Sequence, residues 1–302
     1  MELSGLHLLL TYQCTLECDH CFVWGSPWQQ GTMTFSMVKD ILGQAKETKT
    51  VESIYFEGGE PFLFYPILVK GVQEAVEMGF QVGIVTNSYW ANSVEDALLW
   101  LEPLKGRIMD LSVSSDLFHW GELESAQARN AAKAAEQLGI PIGFISIARP
   151  EVEDESEPGM VQGQLPLGES GVMYRGRAAE KLVDKAEKYH WESFKECPFE
   201  DLRDPGRIHL DPLGNLHICQ GISIGNLFQK PLWEICRDYD PETHPVIAPL
   251  LYGGPAELVR RYDVAHEESY ADACHLCYTS CRILRDRFPE ILQPDQMYGV
   301  VD

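Results

Sequence analysis

Five short apolar runs alternate with stretches of helical period between residues 6 and 148, and this alternation restricts the fold more than any other feature of the 302-residue chain. The runs at 6–11, 53–57, 81–86, 108–114 and 142–148 have the length and residue types of strands. Between the first two, Met37, Val38, Ile41, Leu42 and Ala45 share one helical face behind a cap at Thr34 or Ser36. A helix over 68–78 stops at Gly79, and the helix over 126–138 stops at Gly139. Ser93 with Asp96 reads as a capping box for a helix reaching Leu101. A sixth strand is expected at 171–174 and a closing helix at 178–190. Strand and helix alternating at this pitch build an α/β parallel sheet with right-handed crossovers, as a barrel or a doubly wound fold. In either, working residues gather beyond the carboxyl ends of the strands.

Two unusual stretches fall at such ends. After the first run comes Cys14-Thr15-Leu16-Glu17-Cys18-Asp19-His20-Cys21. Three thiolates at this spacing can hold three irons of a cubane cluster and leave the fourth open. A zinc knuckle wants four ligands in two pairs, and three buried small apolar side chains are the remaining reading. After the second run comes Gly58-Gly59-Glu60-Pro61. Two glycines let the backbone approach a ligand closely, and a carboxylate beside them can accept hydrogen bonds from an ammonium group. Alone, G-G-E-P is an ordinary turn; its weight comes from sharing one expected face with the thiols.

The C-x3-C-x2-C spacing, with His20 before the last Cys, together with G-G-E-P, resembles the radical S-adenosylmethionine (SAM) superfamily. That resemblance implies a partial (β/α)6 TIM-like barrel over residues 1–190 and a [4Fe-4S] cluster on Cys14, Cys18 and Cys21. It also implies SAM on the open iron, held by Gly58, Gly59 and Glu60, and cleaved reductively to a 5′-deoxyadenosyl radical that removes a substrate hydrogen atom. Thr86-Asn87 and Ser114-Ser115-Asp116 end the third and fourth runs, where family members touch the SAM ribose or carboxylate. Arg177, in Tyr174-Arg175-Gly176-Arg177-Ala178, suits the SAM carboxylate, and His20 the adenine; each of these is equally an ordinary turn, loop or surface residue.

Cysteines return after residue 190. A hairpin is expected over 208–219, turning at Pro212 and Gly214, with Cys197 before it and Cys219 at its end. Cys274, Cys277 and Cys281 follow as C-x2-C-x3-C before an expected helix. The pattern resembles the SPASM or shorter twitch extension of radical SAM enzymes. It implies a small α+β domain over 191–302 with one auxiliary [4Fe-4S] cluster, since SPASM modules carry a longer C-x2-C-x5-C-x3-C run. The expected ligands are Cys197, Cys219, Cys274 and Cys277, with Cys281 in reserve. Cys236 sits in an apolar stretch and is expected to be buried and unligated.

Charge and composition narrow the partners. The 46 acidic residues against 24 basic ones give a net charge of −22, which repels nucleic acid and anionic membranes. No run approaches the roughly 18 apolar residues of a membrane span. An N-terminus without a basic region leads into the first strand, so a cytoplasmic location is expected, where nine Cys point to metal or catalysis. Residues 150–169, with Glu151, Glu153, Asp154, Glu155 and Glu157, show no helical period and are expected to form a lid or linker. An external one-electron donor of flavodoxin or ferredoxin type is expected. The favoured substrate is a peptide or protein side chain, brought by a separate recognition protein because only thirteen residues precede Cys14. An oxidoreductase, dehydrogenase or rearrangement enzyme acting on a sugar or amino-acid derivative is the alternative. An iron–sulfur electron carrier is the non-enzyme reading, and it leaves G-G-E-P and the barrel unexplained.

Overall fold

The computed structural model describes residues 1–150 and 170–300, which divide into two compact units. One comprises Gly5–Cys18 and Gly25–Val172; the other comprises Met1–Ser4, Asp19–Trp24 and Met173–Asp302. The expected lid at 150–169 lies, but for Pro150, outside the described residues.

The first unit alternates β1 (Gly5–Thr11), α1 (Phe35–Thr48), β2 (Ser53–Gly58), α2 (Tyr65–Glu77), β3 (Gln81–Thr86), α3 (Val94–Leu101), β4 (Asp110–Ser114), α4 (Ala126–Leu138) and β5 (Ile142–Ile145). Its strands pair in parallel in the order β5-β4-β3-β2-β1. Leu6, Leu8, Leu9 and Leu10 are all fully buried, so both faces of β1 are covered, as a parallel sheet requires. Local chemistry sets the helix ends: Thr34, Ser93 and Ser125 accept hydrogen bonds from the backbone N–H groups of Met37, Asp96 and Ala128. Gly139 closes α4 in the left-handed region, at φ +68°.

Two expectations fail after β5. The sixth strand at 171–174 reduces to an isolated bridge between Ile147 and Ser170. Tyr174 instead donates its N–H to the Asp272 carboxylate at 3.1 Å, a tertiary partner that takes the place of a ladder. The helix expected over 178–190 is one turn, α5 (Ala178–Lys181), followed by a short 3₁₀ turn and β6 (Tyr189–His190). Its apolar face gives out: Ala178, Ala179 and Leu182 are buried, but nothing from 183 to 190 is.

The second unit contains the expected hairpin, β7 (Arg207–Leu210) and β8 (Asn215–Cys219), extended by an unexpected third antiparallel strand, β9 (Ile222–Asn226). Asp211 builds the turn, accepting from the N–H groups of Leu213 and Asn215 and from Asn215 Nδ2 at 2.8–3.0 Å. Then follow α6 (Leu232–Asp238), α7 (Ile247–Tyr262), β10 (Ser269–Tyr270), which pairs with β6, and α8 (Ala273–Leu284). The last three cysteines therefore lie on α8 and not ahead of it. Asp272 caps that helix through the N–H of His275, so it starts one residue before Cys274. Cys236 is buried, as expected. Among the described residues, no helix is long and apolar enough to cross a membrane.

Candidate active site

The carboxyl edge of the parallel sheet gathers the first group of residues. Gly59 N–H donates to the Thr11 carbonyl at 2.7 Å, and Glu60 N–H to the Gln13 carbonyl at 2.9 Å. A Cβ on Gly59 would stand 2.1 Å from the Gln13 oxygen, and Gly58 has φ +134° with the Thr11 oxygen 2.4 Å from its Cβ position. The two glycines thus admit the backbone that leads into Cys14. Cys14 is half-buried and Cys18 is buried. The Cys14 Sγ receives the Leu16 N–H at 3.4 Å and the Asn87 amide at 3.5 Å. N–H groups aimed at sulfur suit a thiolate that ligates a metal cluster, and this donor pattern fits the iron–sulfur reading.

Glu60 is the hub of this edge and is fully buried. Its carboxylate accepts from Phe62 N–H at 3.0 Å, Asn87 N–H at 2.7 Å and the Thr86 hydroxyl at 2.9 Å. Burial pushes its pKa from 4.5 up to about 7, against the lowering effect of these bonds. The Thr86 hydroxyl also accepts from Ser88 N–H and Trp90 Nε1, which uses its full hydrogen-bonding capacity inside the protein. Ser114 ends β4 and is buried. Asp116 is also fully buried and accepts from Phe118 N–H, His119 N–H and Ile147 N–H at 2.9–3.2 Å, tying the ends of β4 and β5 together. Asn87, paired with Thr86 at the end of the third run, joins Glu60, Cys14 and Thr15, a linking role that its place at a strand end does not reveal.

The second unit holds the remaining candidates. Cys21 belongs to the stretch Asp19–Trp24, and its carbonyl accepts the Arg177 N–H at 3.0 Å. His20 beside it is half-buried. Gly176, at φ +58°, permits this contact, since a Cβ there would meet Phe22 Cα at 2.6 Å. The Arg177 side chain is buried over the Trp24 ring, 5.3 Å from its centroid.

All five C-terminal candidates, Cys197, Cys219, Cys274, Cys277 and Cys281, line a single cavity with Arg175. On α8 the spacings of three and four residues put Cys274, Cys277 and Cys281 on one face. Burial pushes the Cys219 thiol up to about 12 and Cys274 well above the ordinary range; a hydrogen bond with Cys281, and then burial, do the same to Cys277. Thiols kept neutral by burial become thiolates when a metal offsets their charge, and five around one cavity are donors enough for a closed cluster. Sequence reasoning passed over Arg175, whose Nη1 lies 3.3 Å from the Cys219 Sγ; nothing in the sequence separated it from Arg177.

Residues 8–156 match the family model of the radical SAM superfamily. The chain belongs to that superfamily, whose members are enzymes. It is similar to YydG of Bacillus subtilis (strain 168), whose name assigns it to peptide biosynthesis: 25% identity over 265 residues, covering 86% of this chain and 74% of YydG. Among solved structures, BtrN in complex with AdoMet and 2-DOIA aligns with a TM-score of 0.50 and 14% identity, over 78% of this chain and 82% of BtrN. Native anSMEcpe with bound AdoMet and the Kp18Cys peptide aligns with a TM-score of 0.50 and 13% identity, over 95% and 97%. These two likenesses are ones of fold.

Proposed function

We propose that the chain is a radical SAM enzyme that modifies a peptide or protein side chain, with residues 1–190 as the radical module and 191–302 as the auxiliary-cluster module. The observation that carries the reading is the Asn87 junction, where one residue bonds both the Glu60 carboxylate and the Cys14 sulfur. Cys14, Cys18 and Cys21 would hold the radical SAM cluster, and Cys197, Cys219, Cys274 and Cys277 the auxiliary one. When bound and reduced by an external one-electron donor, the first cluster supplies the electron that cleaves SAM to a hydrogen-abstracting 5′-deoxyadenosyl radical.

The chain's own residues bind, orient and shield. A carboxylate has about four acceptor positions, and three protein donors occupy Glu60, so one remains for the SAM ammonium. Thr86 orients Glu60, Asp116 braces the loop after Ser114, and Arg177 offers a buried cation near Cys21. The similarity to YydG supports a peptide substrate over a small molecule.

Anaerobic reconstitution with dithionite and SAM tests the reading. Wild type should bind about eight irons per chain and form 5′-deoxyadenosine, and Cys14, Cys18 and Cys21→Ala should leave about four irons and no cleavage. Cleavage persisting in the triple variant would overturn the assignment. Deuterium passing into 5′-deoxyadenosine from a deuterated peptide supports the peptide class; transfer only from a deuterated sugar or amino acid refutes it.

A further inference from the structure

We propose that Arg175 sets the reduction potential of the C-terminal cluster by placing a fixed positive charge against the ligand Cys219, opposed by the charge of Glu200, which meets the same guanidinium nitrogen. The inference rests on the auxiliary-cluster reading above and concerns a residue to which that reading gives no role.

The geometry is specific. Arg175 Nη1 lies 3.3 Å from the Cys219 Sγ and 3.3 Å from Glu200 Oε1, so one nitrogen serves a sulfur and a carboxylate together. The Arg175 side chain is only 12% exposed and that of Glu200 19%. Two backbone devices set the guanidinium there. Asp272 caps α8 and also takes the N–H of Tyr174, fastening residue 174 to the start of the helix that carries Cys274 and Cys277. Gly176, in the left-handed region, lets the chain press against Cys21 and Phe22. The guanidinium also lies over the Phe22 ring, 5.7 Å from its centroid. One cation thus touches a ligand of the C-terminal group and the neighbour of the third cysteine of the N-terminal group.

A cluster gains one negative charge on reduction. A guanidinium keeps its charge at every working pH, and in a poorly hydrated cavity it favours the more negative, reduced state. Hydrogen bonds to ligand sulfurs act in the same direction, and net charge is among the levers that set cluster potentials. Glu200 works the other way, because its carboxylate disfavours the added electron. Arg175 and Glu200 are therefore expected to tune one potential with opposite signs.

EPR-monitored anaerobic redox titration of the reconstituted holoenzyme tests this, with iron content measured on the same samples. Arg175→Gln should move the auxiliary midpoint to more negative values by at least a tenfold change in the equilibrium constant, about 59 mV for one electron. Arg175→Lys, which keeps the charge, should restore most of the shift, and Glu200→Gln should move the midpoint to more positive values. A role in packing alone predicts no such opposition of sign. If Arg175→Gln loses the auxiliary iron, Glu200→Gln decides: an upward shift sustains the proposal and an unmoved midpoint overturns it. Full iron content with unchanged midpoints in both variants also overturns it. Wild type binding only about four irons would instead remove the auxiliary cluster, and the proposal with it.

Discussion

Replacing Glu60 by Gln should change how stability depends on pH, and both size and sign follow from the site. Unfolded, the carboxyl ionises near 4.5; folded, burial holds it protonated up to about 7. Between these values the folded chain binds the extra proton, so this group's contribution to stability is intact below 4.5, falls as pH rises, and levels off above 7. The shift corresponds to roughly 3 kcal/mol. Gln at this position is uncharged at every pH and lacks that term, but its amide nitrogen cannot accept the hydrogen bond that Asn87 N–H gives Glu60 at 2.7 Å. One orphaned buried donor costs about 1–3 kcal/mol at all pH values. Thermal or urea unfolding of both proteins at pH 5, 6, 7 and 8 gives the difference. Glu60→Gln should be the less stable protein at pH 5 and should gain on wild type by roughly 3 kcal/mol by pH 8. A difference that stays constant over this range would refute the argument, because it would mean that the folded Glu60 ionises as an ordinary carboxyl.

Gly59→Ala should cost on the order of 3 kcal/mol, because the Cβ meets backbone that cannot yield, and should abolish SAM binding; a protein of wild-type stability with intact binding in calorimetry would show that the loop relaxes freely. Among the five thiols at the C-terminal cavity, Cys277→Ala should lose the auxiliary iron and Cys281→Ala should keep it, and iron analysis giving the reverse order would exchange their roles.

The parallel half of the molecule was legible from local signals. Period-two and period-3.6 patterns, Ser and Thr caps and a stopping glycine each act over a few residues, so the order of β1 to β5 and the placing of two motifs at strand ends followed directly. Those signals weaken after Ser170. The run at 171–174 has strand-like residues, but Tyr174 gives its N–H to Asp272, ninety-eight positions away, and no local pattern records that choice. The helix of the last cysteines starts earlier than expected, capped by Asp272 ahead of Cys274, and this start puts Cys274 on the same helical face as Cys277 and Cys281.

By itself, then, the sequence determined the strand-helix alternation, the reactive residue types and their separations along the chain, since these depend on neighbours a turn or two apart. Tertiary structure alone decided which partners those residues meet. It turned Gly58 and Gly59 into an opening for the chain's own backbone, made Glu60 a buried hub, and joined Asn87 to Cys14. It also separated Arg175 from Arg177, adjacent in type and position, by giving one a sulfur and a carboxylate and the other an indole ring. Hydrogen bonds, desolvation and close contact act over a few ångströms in space, and the distance between two residues along the chain carries almost none of that information.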